Sequence, residues 1–120
     1  MKGGEFSPRE YLDETMRRGI ASLIVLSHVR KKSTYPYALL KSFKKSHHPM
    51  LAKMDKSKVY NILNALERDG FVRSRLKQVG GKEQKVYSVT PKGDAVVSSF
   101  KELFSRFVLE ARALMKSEFQ

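Results

Sequence analysis

Within the nine residues from Lys56 to Asn64 the chain places two ammonium groups (Lys56, Lys58), the hydroxyls of Ser57 and Tyr60, and two carboxamides (Asn61, Asn64). Ammonium groups neutralise phosphates, and a carboxamide can donate and accept at one planar edge, as adenine requires. Read as a helix, the stretch puts Val59, Ile62, Leu63 and Leu66 on one face. Lys58, Asn61 and Ala65 fall opposite, with Tyr60 and Asn64 flanking. A second concentration follows: Arg73, Arg75, Lys77, Lys82 and Lys85 put five cations into thirteen residues, against the single acid Glu83. In an extended chain Arg73, Arg75 and Lys77 share one face and leave Val72 and Leu76 for the other. A polar helix face is common, and charge also protects exposed strand edges. The two features in succession point instead to a polyanion whose edges can be read by hydrogen bonding.

Other chemistries lack their residues. With no cysteine there is no disulfide, thiolate nucleophile or Cys-ligated zinc. His28 lies in the most apolar stretch and is expected to be a hydrogen-bonded core residue. His47 and His48 are adjacent, so on a helix they diverge and cannot chelate one metal as an i, i+4 pair does. No carboxylate pair, phosphate-cradling glycine loop or nucleophile–base signature is present, so neither an enzyme nor a cofactor is expected.

The elements that must position these groups can be read from capping signals and periodicity. Ser7-Pro8-Arg9-Glu10 has the form of a capping box and starts a helix, which Gly19 is expected to divide into a short first part and a main one. Ile20 to Val29 is apolar on nearly every side, as a central core helix requires, and Arg30-Lys31-Lys32-Ser33 ends it. Thr34-Tyr35-Pro36 begins a second helix with Tyr37, Leu39, Leu40 and Phe43 as its buried face. His47-His48-Pro49 stops it, and a loop is expected through Lys53. Asp55 or Ser57 caps the third helix, which runs to Asp69 before Gly70. Phe71–Val79 and Gln84–Thr90 read as two strands about Gly80-Gly81, and Thr90-Pro91 caps a last helix over 91–117. The order is α–α–α–β–β–α: an α+β, mostly helical, winged helix-turn-helix with a two-stranded wing and a long C-terminal helix. Residues 1–120 form one domain, with a body over 8–93.

Bulk charge agrees. Lysine and arginine outnumber aspartate and glutamate 24 to 12, for a net charge of +12. An excess of this size favours phosphate-rich partners through counterion release, although an anionic membrane surface shares the same chemistry. The longest apolar run, Ile20–Leu26, is too short to span a bilayer, and the first ten residues do not resemble a secretory signal. A cytoplasmic protein is the expectation.

Val59 to Val72, a tyrosine followed by leucines, an acidic pair and Gly70, resembles the recognition helix and wing entry of PadR-like transcriptional regulators. Lys85-Val86-Tyr87-Ser88-Val89-Thr90-Pro91-Lys92-Gly93 resembles their second wing strand and the Y-x-x-T-x-x-G that starts the next helix. The likeness runs from about Ile20 to Phe107. It departs at the second helix, where the family carries His-Gly-Tyr and this chain has Tyr35-Pro36-Tyr37, so no role of that histidine transfers. The resemblance implies a homodimeric regulator, with repression the expected sign, and leaves room for a small aromatic effector.

The last helix supports pairing on its own residues. Val97, Phe100, Phe104, Phe107, Ala111 and Leu114 follow the 3-4-3-4-3 spacing of a coiled-coil seam, widened by Leu103, Val108 and Met115. Tyr11, Leu12 and Met16 of the N-terminal helix could complete that interface. The same stripe could instead pack on its own domain, or line a groove for an effector. Two further readings stand beside a double-stranded DNA-binding regulator: a basic architectural protein that coats DNA with little sequence preference, and a sensor responding to an aromatic ligand.

Overall fold

The computed structural model describes residues 5–119; the expectations that rest on residues 1–4 and 120 lie outside that range. Helix α1 (Pro8–Lys31) is followed by α2 (Pro36–Ser46), a single turn α3 (Pro49–Ala52), α4 (Lys56–Arg68), strands β1 (Val72–Val79) and β2 (Lys82–Val89), and the long α5 (Pro91–Glu118). The winged-helix order expected from the sequence is present, with one short helix added where a loop was expected. His48 creates that turn: its Nδ1 accepts from the Met50 amide at 3.2 Å, and Pro49 takes the first helical position.

Capping explains most boundaries. Ser7 Oγ accepts from the Glu10 amide, Asp55 from Lys58 at 2.8 Å, and Thr90 from Gly93 at 3.2 Å. Gly19 does not divide α1, which is continuous for 24 residues; an exposed glycine in a long helix weakens it without breaking it. The turn between the strands is tight, with Gly80 and Gly81 both at positive φ (59° and 80°), as a two-residue hairpin loop requires. The first strand reaches Val79 as expected, while the second starts at Lys82, two residues nearer the turn than its residue types suggested, pairing Val79 with Lys82 and Val72 with Val89.

The core gathers Val25, Leu26 and Val29 of α1, Leu39 and Phe43 of α2, Val59, Leu63 and Leu66 of α4, and Val72 and Tyr87 of the hairpin. The apolar centre of α1 is thus the hub that its composition implied. His28 is a bonded neighbour of this core, with Nδ1 2.9 Å from the Ile24 carbonyl and its ring edge-on to Phe43. Tyr37 departs from expectation. Its spacing places it on the buried face of α2, yet 65% of it is exposed, because Pro36, Leu39 and Phe43 define the inward stripe and Leu40 lies at its margin. A further departure is a backbone bridge between Thr34 and Tyr87, with both N–H···O bonds formed (3.1 and 2.7 Å). It ties the chain between α1 and α2 to the outer side of β2 and so braces the wing.

The start of α5 is fastened to the end of α4. Thr90 Oγ1 donates to the Gly70 carbonyl at 2.7 Å, Lys92 Nζ donates to the Asp69 carbonyl at 2.8 Å, and the Lys92 ammonium lies 4.8 Å from the centre of the Phe71 ring. Gly93 is buried there, and a β-carbon on it would collide with the Phe71 carbonyl oxygen. Backbone cannot yield as a flexible side chain can. Gly93→Ala is expected to cost about 3 kcal/mol by overpacking, read as a lowered midpoint in urea; an unchanged midpoint would show that the contact relaxes freely.

Candidate nucleic-acid interface

Helix α4 turns its apolar residues inward and leaves Lys56, Ser57, Lys58, Tyr60, Asn61 and Asn64 exposed. At about 100° per residue, Ser57, Asn61, Asn64 and Arg68 point most directly away from the buried Val59–Leu63–Leu66 stripe. Arg68, outermost with them and paired among the described residues only with its neighbour Asp69 (3.6 Å), gave no sequence signal because it falls in the last turn among terminating residues. Ala65 is half-buried and belongs to the margin.

Exposed residues of α4 also border a depression on each of its two sides. On one, Lys56 and Tyr60 face a trough also lined by Tyr35, Tyr37 and Leu40 and, across it, by Val79, Lys82 and Gln84 of the wing tip. The Lys56 ammonium lies 5.9 Å from the centre of the Tyr60 ring. On the other side, Lys58 and Asn61 border a groove against Arg17, Arg18 and Ala21 of α1, and Lys58 Nζ reaches the Lys53 carbonyl at 3.4 Å. Tyr35 and Tyr37 are thus site residues that sequence reasoning missed. Tyr37 was hidden by its helical spacing from Leu40, which imitates a buried pair.

In the wing, residues paired across the strands share a face. Arg73, Arg75, Lys77 and Val79 therefore stand with Ser88, Val86, Gln84 and Lys82. Four of the five cations singled out in the sequence, Arg73, Arg75, Lys77 and Lys82, are brought onto one surface, and all four are exposed.

Lys85 is the exception. It pairs with Leu76 on the opposite face, 5.7 Å from the Tyr87 ring and 3.5 Å from Glu67 Oε1. Glu67 Oε2 also accepts from the Ser74 amide (3.1 Å) and hydroxyl (2.7 Å). These Ser74 bonds, foremost the one from its hydroxyl, together with the Lys85 ammonium, hold the Glu67 carboxyl below the usual carboxylate range despite its partial burial.

The long apolar stripe beyond the body is largely open. Val97 packs on the domain's own core, and Phe100 and Phe104 are half-buried with rings 5.2 Å apart. Past them, Phe107 (63%), Leu114 (56%), Leu103, Val108 and Met115 are exposed, while Ala111 is half-buried. Tyr11, Leu12 and Met16 of α1 are exposed as well. Among the described residues no group of three or more histidines and acids could hold a metal ion, and no helix is long and apolar enough to cross a membrane.

The comparisons bear on this arrangement. The profile of the transcriptional regulator PadR-like family matches residues 25–99, more than half of the chain. The chain belongs to the PadR-like family. Solved PadR structures share its architecture. One from Eggerthella lenta is 26% identical, with 92% of this chain and 93% of that one covered at a TM-score of 0.69. A PadR-like regulator from Bacillus cereus is 20% identical over 84% and 96% (TM-score 0.69). A PadR-like transcription factor from Bacteroides fragilis is 15% identical over 87% and 98% (TM-score 0.70). No curated protein matches by sequence. As a PadR-like chain it is a transcription regulator rather than an enzyme. Its Tyr87, Thr90 and Gly93 now have physical roles: a buried tyrosine under the wing, the hydroxyl that caps α5, and the close approach to Phe71.

Proposed function

We propose that this PadR-like regulator binds double-stranded DNA as a cytoplasmic homodimer and represses transcription at a pseudo-palindromic site. The observation that carries the reading is the joining of the exposed α4 face to a wing surface bearing Arg73, Arg75, Lys77 and Lys82, with the Lys56–Tyr60 trough between them. In this reading α4 enters the major groove, Lys56, Ser57, Lys58 and Tyr60 contact the backbone near its start, and Asn61 and Asn64 address base edges. The wing cations neutralise phosphates of the neighbouring strand. Dimerisation through Phe107, Leu114 and their neighbours on α5, together with Tyr11, Leu12 and Met16, sets two recognition helices about 34 Å apart.

Selection of bound sites from random duplexes at near-physiological salt tests this directly. A regulator enriches one two-fold-related sequence and binds it about a thousandfold or more above random DNA; a coating protein enriches none. On the selected site, Asn61→Ala is expected to lose about 1–3 kcal/mol of discrimination at one base pair per half-site while leaving affinity for random DNA unchanged. Equal losses on both duplexes would move Asn61 from the bases to the backbone.

A further inference from the structure

The five wing cations do not occupy equivalent places, and the difference turns on one carboxylate. Glu67 projects from the last turn of α4 and meets both strands of the wing: Ser74 of β1 through two hydrogen bonds and Lys85 of β2 through an ion pair. Ser74 and Lys85 lie on the same side of the hairpin, together with Leu76 and Tyr87, and opposite the Arg73–Arg75–Lys77–Lys82 surface. The Glu67 side chain is one-third exposed, and its Oε2 receives both Ser74 donors while Oε1 faces the ammonium. Arg73, Arg75, Lys77 and Lys82 have no ion pair within 4 Å among the described residues.

We infer that Glu67 is a positioning residue for recognition: it fixes the bearing of the wing on the recognition helix and withdraws Lys85 from the phosphate-binding set, leaving four cations aimed outward. This rests on the DNA-binding reading above. The value of such a device is in specificity. An additional free ammonium strengthens binding to every sequence alike, and a wing free to swing satisfies phosphates at registers where α4 does not meet its bases. A carboxylate on the recognition helix itself is the placement that couples the two, because the same helix carries Asn61 and Asn64.

The experiment is the slope of log affinity against log salt on random duplex DNA, with the selected operator measured in parallel. Each phosphate contact contributes about 0.9 to that slope, and the changes below are given per protomer, so the dimer shows twice each value. Lys85→Ala is expected to leave the slope of the native protein unchanged. Glu67→Gln keeps an oxygen for Ser74 but frees the ammonium, so the slope should steepen by about 0.9 and the operator-to-random ratio fall. The double variant should return the slope to its native value, and that cycle separates release of Lys85 from general loosening. A drop of about 0.9 on Lys85→Ala alone would make Lys85 an ordinary phosphate ligand and overturn the inference, as would a Glu67→Gln slope equal to the native one. A native protein with no salt-dependent duplex binding would instead overturn the functional reading, and this inference with it.

Discussion

Phe107→Asp should convert the protein to a monomer and weaken operator binding more than any single change in the DNA-facing surface. Phe107 is 63% exposed in the isolated chain, so its replacement removes little from the fold. Phe104 is a poorer probe, being half-buried against Phe100. In a two-fold interface each substitution acts twice. Losing two buried phenylalanines costs roughly 4 kcal/mol, and placing two carboxylates in the seam adds to that, so the dimer constant should fall by about a thousandfold or more. Light scattering reads the mass, and thermal unfolding of the dilute variant checks that the body is intact. Operator affinity should then drop by about 10²–10⁴, since the second half-site no longer benefits from a tethered partner. A dimer that persists with native affinity would place the interface away from the Phe107–Leu114 face.

Replacing Arg73, Arg75 and Lys77 together by alanine is expected to have the next largest effect. The three side chains are exposed and share one face of β1, with Arg75 opposite the buried Val86, so their removal should lower the melting temperature by only a few degrees. If each neutralises one phosphate, the salt slope flattens by about 2.7 per protomer. Near 0.15 M salt that corresponds to a loss of roughly two orders of magnitude per protomer, on operator and random DNA alike. Specificity should survive, because the Asn61 and Asn64 amides are untouched. A triple variant with the native slope would mean the wing does not touch phosphate, and the cationic row would then be edge protection.

The sequence was most legible where one rule governs one element. Ser7, Asp55 and Thr90 cap helices because their side chains reach the first free amides, and that local chemistry survives into the fold unaltered. The apolar run of α1 announced the hub of the core because no other arrangement hides so many adjacent apolar residues. Legibility failed where tertiary contact decided the matter. Tyr37 has the spacing of a buried residue and the surroundings of an exposed one, since burial on α2 follows where α4 lies. Lys85 was indistinguishable from its neighbours by type, and only the register of β1 against β2 assigns it to the other face. Glu67 carried no signal at all beyond being an acid before a glycine. Its importance lies in Ser74, seven residues away, and Lys85, eighteen away.

The fastening of α5 to the end of α4 has a mechanical consequence. At 1.5 Å per residue, the 28 residues of α5 make a rod about 42 Å long, rooted where Thr90, Lys92 and Gly93 grip the Asp69–Phe71 turn. That turn is also the stop of α4. A rod so mounted is a lever with a short arm: tilting it by about 5° displaces its far end by nearly 4 Å while rotating α4 by the same small angle. In the homodimer proposed above, the crossing angle set by the packing of Leu114 and Met115 at the distant end would therefore adjust the separation of the two α4 helices without touching either one.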